Sequence, residues 1–144
     1  MTESPIRHSQ DKGRLALGTV KFREVLLTAV LRAWHGRGRM VPVLGKEMFV
    51  VTAGEEEEEE EEEERETIIL IHGFPTSSLD YADVIDPLAE NYRVVVFDHI
   101  GFGFSDKPIN YTYSLVDQAE QALALWRTLG IRSEPIFQIK VVTQ

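Results

Sequence analysis

The chain has no cysteine among its 144 residues. That excludes disulfide frameworks, thiolate metal sites and a cysteine nucleophile together. Long apolar runs are also lacking. The most apolar stretch, Val25 to Leu31, falls far short of the ~20 residues a membrane-spanning helix needs. The N-terminus opens polar from Met1 to Arg14, with no apolar segment of the kind a secretory signal carries. The chain therefore reads as cytoplasmic, with organelle targeting left open. The four histidines (His8, His35, His72 and His99) show no metal-ligand spacing, and no Walker loop, HExxH or EF-hand pattern occurs. Gly101-Phe102-Gly103 follows a strand-like run, but a dinucleotide fingerprint would need its third glycine where Asp106 stands. A carboxylate there repels pyrophosphate. No cofactor, metal or nucleic-acid partner is expected.

What is present in excess is acid in one place. Ten glutamates run from Glu55 to Glu64, and without them 15 basic residues face 14 acidic ones. The formal net charge of −9 is thus the property of one segment. A block of like charge repels itself and stays solvated, so residues 53–66 read as a low-complexity insertion in a surface loop. The rest of the charge is asymmetric: residues 1–46 hold nine Lys/Arg against three acids.

Residues 1–18 read as a mobile tail. From Thr19 to His35 apolar residues recur at Phe22, Val25, Leu26, Ala29, Val30, Ala33 and Trp34, the spacing of one helix face, with Gly36 ending it. The 19–36 helix packs on its own domain or, given its basic flanks, lies on an anionic membrane surface. Met40 to Leu44 and Glu47 to Thr52 read as a hairpin about "LGKE", where Gly45 is free to take positive φ. Thr67 to Ile71 ("TIILI") and Arg93 to Asp98 ("RVVVFD") read as short, continuously apolar strands of the buried kind. Between them Ser78 can cap a helix from Leu79 to about Glu90, interrupted at Pro87. Ser114 opens a second helix with Asp117 three residues on, its inward face Leu115, Ala119, Ala122, Trp126 and Leu129, and Gly130 closes it. Buried strands alternating with helices predict an α/β domain with a mostly parallel sheet.

"LIHGFPTSS" (Leu70 to Ser78) is the most informative stretch. Gly73 lets the backbone turn beside the sheet edge, and the Phe74–Pro75 bond can be cis at modest cost. Such a turn can aim the Phe74 N–H into the crevice at the strand ends, as a donor to a developing oxyanion requires.

Residues 40–131, through "HGFPTSS" and "DHIGFGFSDKP", resemble the N-terminal part of an α/β-hydrolase. The likeness is greatest to the epoxide hydrolase, haloalkane dehalogenase and mesoderm-specific transcript group. The resemblance implies that Phe74 lends its backbone N–H to an oxyanion hole, that His72 and Gly73 shape its loop, and that Pro75 occupies a cis-proline position. It also implies that Asp98, Gly101, Gly103, Ser105 and Pro108 form a turn shaping the pocket wall. For Asp98 and Ser105 the residues themselves suggest hydrogen bonding to their own loop backbone. The dehalogenase branch commonly places a halide-binding Asn where Phe74 stands, and a phenyl ring cannot donate to halide. Epoxide- or ester-hydrolysing ancestry fits better, with a small-molecule substrate expected only of a full-length relative.

A relative would next supply a fifth strand running into a Gly-x-Asp/Ser-x-Gly elbow. No glycine follows Gly130 here. Gln138 and Lys140 alternate with Phe137, Ile139 and Val141, an edge-like pattern, so residues 132–144 read as a divergent tail and the fold as an incomplete α/β-hydrolase. No catalytic residue is assigned, and Ser77 and Ser105 lack both a base and an elbow. The expectation is a truncated, inactive chain in which "IFQIKVV" partly covers the "TIILI" edge. The alternative is a non-catalytic interaction protein using the 19–36 helix and the glutamate run.

Overall fold

A computed structural model of the chain describes residues 28–54 and 65–131 in full and the backbone of 136–139. The expected tail, most of the expected first helix, the glutamate run and most of the expected divergent tail lie outside the described residues. The chain divides between Ala33 and Trp34, and the unit from Trp34 onward carries the sheet.

Helix α1 spans Ala29–Arg37 and ends one residue beyond Gly36, which the sequence had marked as its stop. Two strands follow, β1 (Arg39–Val43) and β2 (Lys46–Ala53), paired antiparallel with Val43 opposite Lys46. Leu44 and Gly45 both take positive φ, +47° and +74°. This two-residue turn of primed type suits the right-handed twist of its strands, and glycine takes that conformation without strain. Then come β3 (Thr67–Ile71), a 3-10 turn (Ser78–Tyr81), α2 (Ile85–Ala89), β4 (Arg93–Phe97), α3 (Leu115–Thr128) and β5 (Ile136–Ile139).

The sheet order is β1-β2-β4-β3-β5. β2 meets β4 antiparallel, whereas β3 lies parallel to both β4 and β5. The strands β3 and β4 are apolar on both faces because both faces are covered. On one face Val50, Ile69, Val95 and Phe97 pack with Ala122 and Leu125 of α3. On the other Val51, Leu70, Val94 and Val96 pack with Trp34, Tyr81 and Ile85. The alternation along each strand is the period-2 pleat read twice.

Three local expectations are corrected. The helix expected over Leu79–Glu90 is broken into the 3-10 turn and the five-residue α2. Its cap is Ser77, whose hydroxyl accepts from the Leu79 N–H at 3.4 Å, because Ser78 is buried and engaged elsewhere. The inward face of α3 is not Leu115 and Ala119: Leu115 is 88% exposed, and Gln118, Gln121, Ala122 and Leu125 are buried instead. Both glutamines place their polar tips on backbone carbonyls, Gln118 Nε2 donating to Ile100 in the loop after β4 at 2.7 Å and Gln121 Nε2 to Val43 of β1 at 2.8 Å. Buried amides are tolerated where each finds such a partner. The ends of α3 are as expected. Ser114 Oγ accepts the Asp117 N–H at 3.1 Å, and Gly130 (φ +71°) closes a Schellman turn in which Ile131 N–H reaches the Trp126 carbonyl at 3.0 Å.

Candidate functional site

The loops leaving β3 and β4 emerge side by side at the C-terminal ends of parallel strands, the edge where open α/β sheets form ligand crevices. β5 runs alongside with Ile71 opposite Ile139, so its end also reaches this edge.

The β3 loop is built around one carbonyl. Gly73 C=O accepts from the Thr76 N–H at 3.1 Å and from the Thr76 hydroxyl at 2.9 Å, and His72 Nδ1 lies 2.9 Å from it. The central Phe74–Pro75 peptide of this turn is cis. Because the C=O and N–H of a trans peptide point in opposite directions, tying the Gly73 carbonyl into the loop turns the Phe74 N–H away from it. That N–H has no hydrogen-bond partner among the described residues. Tyr81 adds a brace, its hydroxyl donating to the Ile71 carbonyl at 2.7 Å.

His72 joins the two loops. Its Nε2 accepts the His99 N–H at 3.0 Å, which leaves Nδ1 to carry the proton and donate to Gly73. The ring is buried and meets His99 edge-on, with centroids 4.8 Å apart. Burial first, then the adjacent His72 ring, pushes the His99 imidazole down to about 4 against the smaller opposing pull of Asp98. His99 is therefore neutral at neutral pH.

Asp98 is the hub of the second loop. It is fully buried, and its two oxygens accept separate backbone donors, Ser78 N–H at 2.7 Å and Phe104 N–H at 2.8 Å. One carboxylate thus clamps the β3 loop to the β4 loop. Gly103 is required beside it: a Cβ there would fall 2.0 Å from the carboxylate, and φ is +47°. Ser105 ties the same loop to β2, its hydroxyl donating to the Asp98 carbonyl at 2.7 Å and accepting the Phe49 N–H at 2.9 Å. Asp106 continues the attachment, its carboxylate accepting the Glu47 N–H at 2.8 Å. Trp34 reaches in from α1, donating through Nε1 to the Ser78 hydroxyl at 3.1 Å.

Between the loops lies a cavity of about 610 Å³, walled by apolar side chains with a few polar groups. Of the residues singled out from the sequence, His72, Gly73, Phe74 and Gly101 line it. Asp98 and Ser105 stand behind the wall with their hydrogen-bonding capacity turned to backbone. The lining residues not singled out from the sequence include four polar ones, His99, Lys107, Tyr113 and Gln118. Gln118 could have been found by extending the Ala122–Leu125 stripe back one turn; His99 carried no spacing signal at all.

This architecture, a mixed sheet with helices on both faces and a cavity at the β3 and β4 ends, defines the class. The chain belongs to the α/β-hydrolase superfamily, residues 66–133 matching the alpha/beta hydrolase fold. It is similar to the mesoderm-specific transcript homolog protein of Bos taurus, 35% identical over 111 residues that make up 76% of this chain and 32% of that relative. Among solved structures it is similar to the haloalkane dehalogenase DatA of Agrobacterium tumefaciens, 25% identical with a TM-score of 0.55 over 71% of this chain and 31% of that one. The epoxide hydrolase CorEH is 29% identical with a TM-score of 0.55 over 65% of this chain and 29% of that one. The chain thus spans about a third of the length of that Bos taurus relative, 32%.

Proposed function

We infer that the unit from Trp34 onward forms the oxyanion-donor side and pocket wall of an α/β-hydrolase site of epoxide- or ester-hydrolysing ancestry. The Phe74 N–H is the donor, and the stretch of chain given by residues 1–144 is without hydrolytic turnover by itself. The observation that carries the first part is the β3 turn. Its Gly73 carbonyl is tied inward, and the oppositely directed Phe74 amide has no partner among the described residues although Phe74 lines the cavity. A preorganised donor of this kind stabilises charge that develops on a substrate oxygen, because no reorganisation is needed at the moment of reaction.

Turnover needs more than a donor. A nucleophile must stand opposite it with a base in hydrogen-bond reach. The described serines are spoken for: Ser105 and Ser78 are buried among backbone and Trp34 partners, and Ser77 and Ser114 cap helical turns. His99 at about 4 is too weak a base to work near neutral pH, and His72 is held between Gly73 and His99. No Gly-x-Asp/Ser-x-Gly elbow occurs in residues 1–144. The β5 register puts the end of that strand next to the His72–Phe74 turn, which is where a nucleophile would have to be presented.

The test is hydrolysis of styrene oxide and p-nitrophenyl butyrate by the purified 144-residue chain. The expected result is a rate no higher than that of the Phe74→Pro variant, which has no N–H at this position. Saturable turnover by the 144-residue chain would overturn its assignment as inactive, and turnover that Phe74→Pro leaves unchanged would overturn the Phe74 N–H as the donor.

A further inference from the structure

Gln118 Oε1 and His99 Nδ1 are buried polar atoms with no hydrogen-bond partner among the described residues. Both residues line the cavity, and Gln118 is only 8% exposed. The amide of Gln118 is held in one orientation. Its Nε2 donates to the Ile100 carbonyl at 2.7 Å, and a flipped amide would set oxygen against oxygen there. Ile100 follows His99 directly, so the glutamine and the histidine are tied to one stretch of backbone. A buried carbonyl oxygen left without a donor carries its full desolvation cost, and such groups in folded proteins call for an explanation. On the same face Gln121 Nε2 donates to the Val43 carbonyl at 2.8 Å, while Ala122 and Leu125 are apolar.

The charged groups nearby are already engaged. Lys107 donates to the carbonyls of Gly103 at 2.7 Å and Ser105 at 2.9 Å, and Asp98 accepts two backbone N–H groups. His99 is uncharged at neutral pH. The remaining wall at this point is apolar, from Ile71, Phe74, Phe102 and Leu115. The polar spot offered to a ligand by Gln118 and His99 is thus uncharged, with the Gln118 Oε1 acceptor unpaired.

We propose that the cavity takes a neutral, hydroxyl-bearing apolar molecule, whose hydroxyl donates to Gln118 Oε1 with His99 Nδ1 as its second polar contact. A hydroxyl suits both atoms because it donates once and accepts as well, so either tautomer of His99 is served. The proposal rests on the reading of this cavity as a ligand pocket and adds the chemistry of what enters it. Gln118 and His99 are then specificity-determining residues.

Benzyl alcohol and anisole are isomers of nearly equal volume, of which only the alcohol carries a donor. Each is titrated into the full 144-residue chain and followed by amide chemical shifts, in the wild type and in Gln118→Met, which keeps an unbranched side chain of similar length. Gln118→Met is expected to weaken benzyl alcohol about tenfold and to leave anisole within about twofold. Equal loss for both probes, or no loss for the alcohol, overturns the proposal while leaving the pocket in place. Failure of both probes to bind the wild type overturns the pocket reading and the proposal together. Two further readouts cover a Gln118→Met that does not fold. In the wild type, benzyl alcohol and not anisole should move the Gln118 side-chain amide resonances, and His99→Phe should shift the alcohol-to-anisole ratio in the same direction as Gln118→Met. Unmoved Gln118 resonances overturn the assignment.

Discussion

Protonating His99 probes the junction of the two cavity loops. The folded imidazole titrates at about 4, against 6.5 for the ordinary group, because burial and the adjacent His72 ring disfavour its charge. The unfolded chain therefore takes up this proton first as the pH falls. Stability contributed by keeping His99 neutral is whole above about pH 6.5, declines through the window from 6.5 to 4, and is spent below it. At about 1.4 kcal/mol per unit the loss across that window is on the order of 3 kcal/mol. That is a large part of the 5–15 kcal/mol typical of a small domain, roughly. His99→Phe removes the titration while keeping an aromatic ring against Phe97 and His72, and the main-chain bond to His72 Nε2 is unaffected. Urea unfolding followed by the fluorescence of Trp34 and Trp126, at steps between pH 7 and pH 4, reads the difference directly. Carboxylates elsewhere titrate in both proteins and cancel. The wild type should lose on the order of 3 kcal/mol more than His99→Phe over this interval. Parallel pH profiles for the two would refute the assignment of a desolvated, neutral His99.

Asp98→Asn should destabilise the unit by about 2–3 kcal/mol in the same urea assay, because an amide nitrogen would then face one of two backbone donors that a carboxylate satisfies together. Gly103→Ala should be costlier than an ordinary loop substitution, by about 2 kcal/mol or more, since the new methyl meets the Asp98 carboxylate at positive φ. Wild-type stability in Gly103→Ala would show that the loop can move aside. The hydrolysis test with Phe74→Pro and the paired titration of benzyl alcohol and anisole complete the set.

The strands and the cavity edge were legible in the sequence for a physical reason. "TIILI" and "VVVF" are apolar without alternation because helices cover both faces of the sheet, and the "HGFP" turn carries its own backbone chemistry in a glycine and a proline. Ser114 and Gly130 announced both ends of α3 through capping that depends on adjacent residues. The cap at Ser77 and not Ser78 was not legible, because it follows from long-range demands: the Ser78 hydroxyl accepts from Trp34 Nε1 and its N–H is held by Asp98, twenty positions away. Gln118 and Gln121 were hidden by the rule that polar residues face outward, which fails when buried backbone carbonyls are in reach of an amide. His99 was invisible for a similar reason. Its environment is made by His72, Phe97 and the loop after β4, none of which is periodic with it.

The Phe74 amide is where the reading of this chain is decided. In a nitrogen-15 spectrum of the 144-residue chain, titration with butyrate, whose carboxylate imitates a substrate oxyanion, should move the Phe74 N–H resonance further than any amide outside the cavity. Butyrate binding that shifts other cavity amides and leaves Phe74 where it was would contradict its assignment as the donor.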